Sequence, residues 1–185
     1  MCNVDVVERM RQRAEAAHTI VAEVQGLAEA FRYAIGVTTT QGGFSIAATG
    51  FSEEDLAKFE WQSAQSGLRF YRNNLRDYSG KISTGFTWAD WGIAETGTLV
   101  MDSTSEDLRL ATMFSETHIA VLPKSRIKPD SIALEKDLST KLIAGPRYIA
   151  FISGASRTGD IERVITLGIH GPKELHILLM EEAGS

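Results

Sequence analysis

At the start of the chain, apolar residues recur at Val7, Met10, Ala14 and Ala17, at spacings of three, four and three. That is the period of one helix face, so the first segment is predicted to be an amphipathic helix. The pattern then shortens. TIVAEV (19–24) is a β-branched run and reads as a strand. GLAEAFRYAIG (26–36) returns to helical spacing and is expected to end near Gly36, before a loop holding Gln41, Gly42 and Gly43. FSIAAT (44–49) is the next strand. Ser52 and Asp55 then make a capping-box-like start to EEDLAKFEWQSAQSG, with acids in the first turn and Gly67 at the end.

Strand and helix continue to alternate. LRFYRNNLRDY (68–78) reads as a strand running into an aromatic, basic loop. Strand signals return at the start of KISTGFTWADWGIAETGTLVMD and again at GTLVM. SEDLRLATMF (105–114) is a short helix and THIAVLP (117–123) a buried strand stopped by proline. KPDSIALEKDLSTKL is a helix, YIAFISG (148–154) a strand and ELHILLME (174–181) the last strand. The alternation predicts an α/β fold with a mostly parallel sheet wrapped by helices. No low-complexity linker or fixed-period repeat divides the chain, so residues 1–185 read as one domain.

Three polar clusters interrupt this apolar pattern. The first is SGASRTGDIERVITLG. A strand enters a glycine-containing turn, and a helix is expected to leave it, with Ile161, Val164 and Ile165 on the buried face and Gly168 at the end. Ser156 or Thr158 would cap that helix, and its free N–H groups would suit a phosphate or carboxylate. Arg157 would add a two-pronged fork. Asp160 and Glu162 oppose an anion there, and the bland alternative is a capped helix with a surface arginine. The second cluster is GIHGP, where His170 either works as an acid or base near neutral pH or ties the turn backbone. The third is ADWGIAETGTLV. Glu95 lies among Ile93, Ala94, Leu99 and Val100, with Thr96, Gly97 and Thr98 close in sequence. A carboxylate in an apolar run costs free energy unless it has partners. Glu95 is therefore either a tuned nucleophile or base, or a structural tie. Elsewhere, His118 is expected to cap a strand end and His176 to face solvent. All three turns are expected to gather at the carboxyl ends of the strands and line one pocket.

Composition narrows the function. The 185 residues carry a formal net charge of −5, with no lysine–arginine cluster of the kind a nucleic-acid surface needs. No apolar run approaches a membrane span, and the charged start lacks the features of a signal peptide, so a cytoplasmic protein is expected. Cys2 is the only cysteine, which excludes an internal disulfide or a four-thiolate iron–sulfur cluster. The four histidines show no helical pairing, so no metal site is expected.

GIAETGTLV, THIAVLP, SGASRTGDIE and GIHGP…LHILL occur in the order seen in LUD-domain proteins of the lactate utilization protein C (YkgG) family, which this chain resembles over about residues 82–180. Ala155 stands where members often carry Pro, and Gly159 where many carry Ala. The resemblance implies a fold like the NagB, ribose-phosphate isomerase and CoA transferase group. It implies a role in oxidising L-lactate to pyruvate beside partner subunits that carry iron–sulfur clusters, with no cofactor in this chain. A small anionic metabolite would be held by Thr96, Gly97, Thr98, Ser156, Arg157, Thr158 and Asp160, with Glu95 and His170 as the catalytic candidates. Comparison of Glu95 with the nucleophilic glutamate of CoA transferases is fold-level analogy. Two alternatives stay open: a non-catalytic assembly or metabolite-sensing subunit, and an enzyme acting on another small anion by CoA transferase-like chemistry. A homo-oligomer is also left open.

Overall fold

The alternating first half folds as its pattern predicts. In the computed structural model, which describes residues 3–143, 145–156, 159–161, 164–166 and 171–181, helix α1 (Asn3–Ala16) leads to β1 (Ile20–Val24). Helix α2 (Leu27–Thr40), β2 (Ser45–Thr49), α3 (Glu53–Gln65) and β3 (Arg69–Tyr71) follow. A 3₁₀ turn at Leu75–Tyr78 precedes β4 (Thr84–Trp88), β5 (Trp91–Ile93), β6 (Thr98–Asp102), α4 (Glu106–Met113) and β7 (Thr117–Pro123). After a second 3₁₀ turn, at Lys124–Arg126, come β8 (Ile127–Lys128), α5 (Ser131–Ile143), β9 (Ile149–Ile152), β10 (Gly159–Ile161), β11 (Val164–Thr166) and β12 (Glu174–Met180).

Six strands form one all-parallel sheet in the order β1-β12-β7-β4-β2-β3. Its central members are buried at nearly every position, because helices or a second sheet cover both faces. On one face, α2 and α3 pack an aromatic core. Phe31 stacks on Phe59 at 4.3 Å, and Phe86 meets both rings edge-on. Ser52 caps α3 as expected, its Oγ accepting from the Asp55 N–H at 3.1 Å. Helix α2 runs past Gly36 to Thr40. Thr38, buried in that extra turn, hydrogen-bonds the Ala34 carbonyl and the Thr84 hydroxyl, so tertiary contact outweighs the weak helix propensity of glycine.

The other face carries α1, α4 and a four-stranded sheet in the order β8-β5-β6-β9. In that sheet β6 pairs antiparallel with both neighbours, and β5 pairs parallel with β8. Leu99 and Met101 of β6 face the main core with Met10, Ala14 and Leu122, while Val100 faces Leu134 of α5 with Trp91 and Ile93. Lys141 pins α5 to this sheet through Asp90 at 2.6 Å and Asp102 at 3.5 Å, and Arg147 holds Asp102 at 2.6 Å. Burial opposes ionisation of Asp102. Hydrogen bonds from Thr104 and Arg147 and the Lys141 charge outweigh it, holding the carboxyl at about 2.

One predicted element is of the wrong type. The stretch expected to leave the Ser156 turn as a helix contains the antiparallel pair β10 and β11, with Gly159 opposite Thr166 and Ile161 opposite Val164. Ile161, Val164 and Ile165 fit a helical face by spacing, but they are β-branched and prefer extended backbone. Among the described residues no helix is long and apolar enough to cross a membrane.

Candidate functional site

The turn between β5 and β6 is a hairpin closed by Ile93 opposite Thr98. Two backbone bonds pin it to the segment between β8 and α5: Ala94 N–H to the Lys128 carbonyl at 2.8 Å, and Glu95 N–H to the Pro129 carbonyl at 3.0 Å. Gly97 has φ of +66°, and a Cβ there would lie 2.3 Å from the Ala14 backbone nitrogen. Only glycine allows both the turn and the close approach of α1. Thr96 and Thr98 share a hydroxyl hydrogen bond at 2.7 Å, and Thr98 meets the Ser153 hydroxyl at 2.6 Å. This row of hydroxyls joins the first turn to the loop after β9.

That loop repeats the device. Gly154 has φ of +83°, and a Cβ there would lie 2.6 Å from the Ala17 carbonyl oxygen. Two residues on, the Ser156 N–H donates to the Pro172 carbonyl at 3.0 Å. A Cβ on Gly171 would sit 3.2 Å from the Ser156 Cβ. The turns at 94–98, 153–156 and 171–172 are therefore contiguous around the end of α1. Of the sequence-derived candidates, Thr96, Gly97, Thr98 and Ser156 are brought into this junction. Arg157, Thr158 and His170 lie outside the described residues, and of Asp160 only the backbone, paired with Ile165 in β10, is described.

Three expectations need correction. Glu95 is exposed, and its carboxylate has no hydrogen-bond or ionic partner among the described residues, although Ala94 beside it is fully buried. The hairpin carries Glu95 at its tip, so apolar neighbours in sequence are not neighbours in space. Ser156 precedes a β-strand and caps no helix, which removes the helix-dipole argument for an anion there. The junction also lies at the amino edge of the parallel sheet. Its turns belong to a hairpin of the second sheet and to the loop entering β12, not to strand-to-helix connections.

The buried histidines were misplaced by sequence reasoning. His118 lies inside β7 and is fully buried, with Nε2 2.8 Å from the Thr87 hydroxyl and Nδ1 without a partner among the described residues. The less costly tautomer keeps the proton on Nε2, donating to Thr87, and leaves a lone pair on Nδ1. Burial, aided by nearby His176, pushes its pKa down to about 3. His176 is also buried. Its Nδ1 is 2.9 Å from the Tyr33 hydroxyl and its Nε2 is 3.1 Å from Glu174, which also accepts from Gln41 Nε2 at 2.8 Å. Burial lowers the His176 pKa, and Glu174 partly offsets it. Among the described residues no group of three or more His, Cys, Asp or Glu side chains is arranged to hold a metal ion.

Beside the junction, Gly171 and Lys173 form one wall of a cavity of about 630 Å³ under the amino ends of β2, β4, β7 and β12. Its size falls within the range of small-molecule sites.

Comparison with known proteins follows this geometry. The family model described as LUD domain matches residues 6–180. Lactate utilization protein C of Halalkalibacterium halodurans is 35% identical over 111 residues, covering 58% of this chain and 48% of that protein. Lactate utilization protein C of Geobacillus thermodenitrificans is 25% identical over 190 residues, covering 96% and 79%. The uncharacterized protein YkgG of Escherichia coli is 36% identical over 105 residues, covering 55% and 46%. The matches thus span about half the length of several curated relatives. A crystal structure of a DUF162 family protein from Deinococcus radiodurans superimposes with a TM-score of 0.65 over 97% of this chain and 99% of that one, at 15% identity. That likeness shows a shared fold.

Proposed function

Because this chain belongs to the LUD-domain family, we propose that it serves in lactate utilisation, as a component of a system that oxidises L-lactate to pyruvate. The support is its similarity to relatives named lactate utilization protein C. In this reading a small anionic metabolite binds at the junction of the three turns. The Thr96, Thr98 and Ser156 hydroxyls offer hydrogen bonds, and Gly97 gives the backbone its close approach. Arg157 forks the carboxylate, Thr158 adds a hydroxyl, and the Asp160 carboxylate, which opposes the anionic end, accepts from the metabolite's own hydroxyl. Glu95 and His170 are the candidates for moving a proton. Converting a hydroxy acid to a keto acid releases two electrons and two protons. In this reading the electrons pass to iron–sulfur partner subunits, as the family resemblance implies, and a single cysteine fits a chain without a four-thiolate cluster of its own. The observation that carries the reading is the contiguity of the turns, through the Thr98–Ser153 and Ser156–Pro172 bonds.

One observation favours a second reading, a metabolite-sensing or assembly subunit without chemistry of its own. The Glu95 carboxylate is exposed and has no hydrogen-bond or ionic partner among the described residues.

A thermal-shift titration with L-lactate and pyruvate tests the binding site. A ligand at 100 times its Kd adds about 2.7 kcal/mol of stability. The shift should disappear in Arg157→Ala while the ligand-free Tm stays unchanged. Absence of any shift with either acid would remove the site.

A further inference from the structure

We infer that the cavity beside the junction is a second binding site, which takes an amphipathic carboxylate with an acyl body much longer than a three-carbon acid. The inference stands apart from the proposed lactate role, since it uses none of the catalytic candidates.

Size is the first argument. About 630 Å³ is several times the volume of a three-carbon hydroxy acid, and it matches sites that enclose drug-sized molecules. The walls are the second. Phe44, Met113 and Phe114 line the cavity and remain 49%, 51% and 51% exposed. Three large apolar side chains held half in water around one hollow form a surface that an apolar body would cover. Ile82, buried, continues the apolar lining inward.

Charge is the third argument. The chain is acidic overall, at −5, yet among the described residues the lining contains Lys81 and Lys173 against one carboxylate, Glu116, while Glu174, just outside the lining, is held by Gln41 at 2.8 Å. Lys81 has no ion-pair partner among the described residues. Lys173 is 3.8 Å from Glu116, with both side chains more than 60% exposed, so that pair is weak and solvent-screened. The Arg69 guanidinium lies 5.8 Å from the Phe44 ring centroid, which adds positive charge near this wall. A hollow of mixed lining, with Phe44, Ile82, Met113 and Phe114 on one hand and Lys81 and Lys173 on the other, is complementary to an amphipathic molecule with an apolar body and an anionic end.

The backbone keeps the hollow open. Gly43 packs so closely on Ser83 and Thr38 that a Cβ would come within 2.8 Å and 2.9 Å of their side chains. Gly42 and Gly80 turn with φ of +72° and +76°, where non-glycine residues are strained.

The probes are decanoate and the fluorescent aromatic sulfonate 1-anilinonaphthalene-8-sulfonate, with the full chain in native buffer. The sulfonate should bind saturably at one site, and decanoate should displace it while millimolar L-lactate does not. Phe114→Ser and Lys173→Gln, both exposed and tolerant positions, should each weaken decanoate about tenfold. Lys58→Gln, on α3, should leave it unchanged. Amide NMR shifts on adding decanoate should centre on residues 41–44, 80–83 and 113–116. Shifts confined to other regions, affinities unchanged in both cavity variants, or no saturable binding would overturn the inference. Displacement by adenosine monophosphate but not by decanoate would also overturn it, because the occupant would then be a nucleotide.

Discussion

Acidifying the protein should expose the cost of its buried imidazole. His118 is fully inside β7, hydrogen-bonded to Thr87 and with no partner for Nδ1 among the described residues, and burial holds its pKa at about 3 against the ordinary 6.5. The unfolded chain therefore binds a proton at His118 between about pH 6.5 and pH 3, and the folded chain does not. Stability rises with pH wherever the unfolded state binds more protons. The contribution is fully present above pH 6.5 and declines as pH falls through this window. At pH 5 the gap of about 1.5 pH units from the unfolded pKa corresponds to about 2 kcal/mol. His176, whose pKa is also lowered, adds to the loss with the same sign. The two can be separated with His118→Gln, whose amide can still bond Thr87 but cannot titrate. Urea denaturation at pH 7.5 and pH 5 should show wild type losing about 2 kcal/mol more than the variant. Histidine NMR should show the His118 ring neutral throughout that range. Equal pH dependence in the two proteins, or an imidazolium at His118 above pH 5.5, would refute the reasoning.

Two further outcomes follow from the turn junction. Gly97→Ala should cost at least about 2 kcal/mol in urea denaturation, because its Cβ meets the Arg13–Ala14 backbone and its φ is positive. Gly80→Ala, equally left-handed but with open space around it, should cost less, and equal costs would show that the approach of α1 is not limiting. Glu95→Gln should leave Tm and stability unchanged within about 0.5 kcal/mol, since the side chain is exposed and has no partner among the described residues. A larger loss by calorimetry would mean that the carboxylate is a structural tie.

What the sequence made legible was the part governed by local rules. The α/β alternation, the Ser52 cap and the THIAVLP strand all stand as read, because period, capping chemistry and apolar runs are local signals. The orientation of β7 was not legible. A strand buried on both faces has no alternation, so nothing in THIAVLP says that His118 points into a core. His176 was assigned to solvent for the same reason; Glu174 is its neighbour two residues back in β12, but Tyr33 becomes its partner only when α2 lies over β12. The second sheet was hidden because β5 and β8 are three and two residues long, too short for a period. In 159–166 the β-branched residues satisfied a helical spacing, and extended pairing prevailed. The site motifs were recognisable as polar turns, but the edge of the sheet on which they sit depends on topology, which spacing does not encode.

The pairing of β1 with β12 has a consequence during synthesis. Ile20 finds its partner His176 only after the long segment between them has emerged from the ribosome. Until then β1 is an apolar edge with nothing to pair with, and β7 lacks a neighbour on its β12 side. The β3, β2 and β4 half, whose strands are close in sequence, is able to assemble first, while the seam between β1 and β12 closes last. A nascent chain stalled before β12 is thus left with two unpaired edges, and the interval before β12 emerges is the period in which this protein is most exposed to aggregation and most dependent on chaperones.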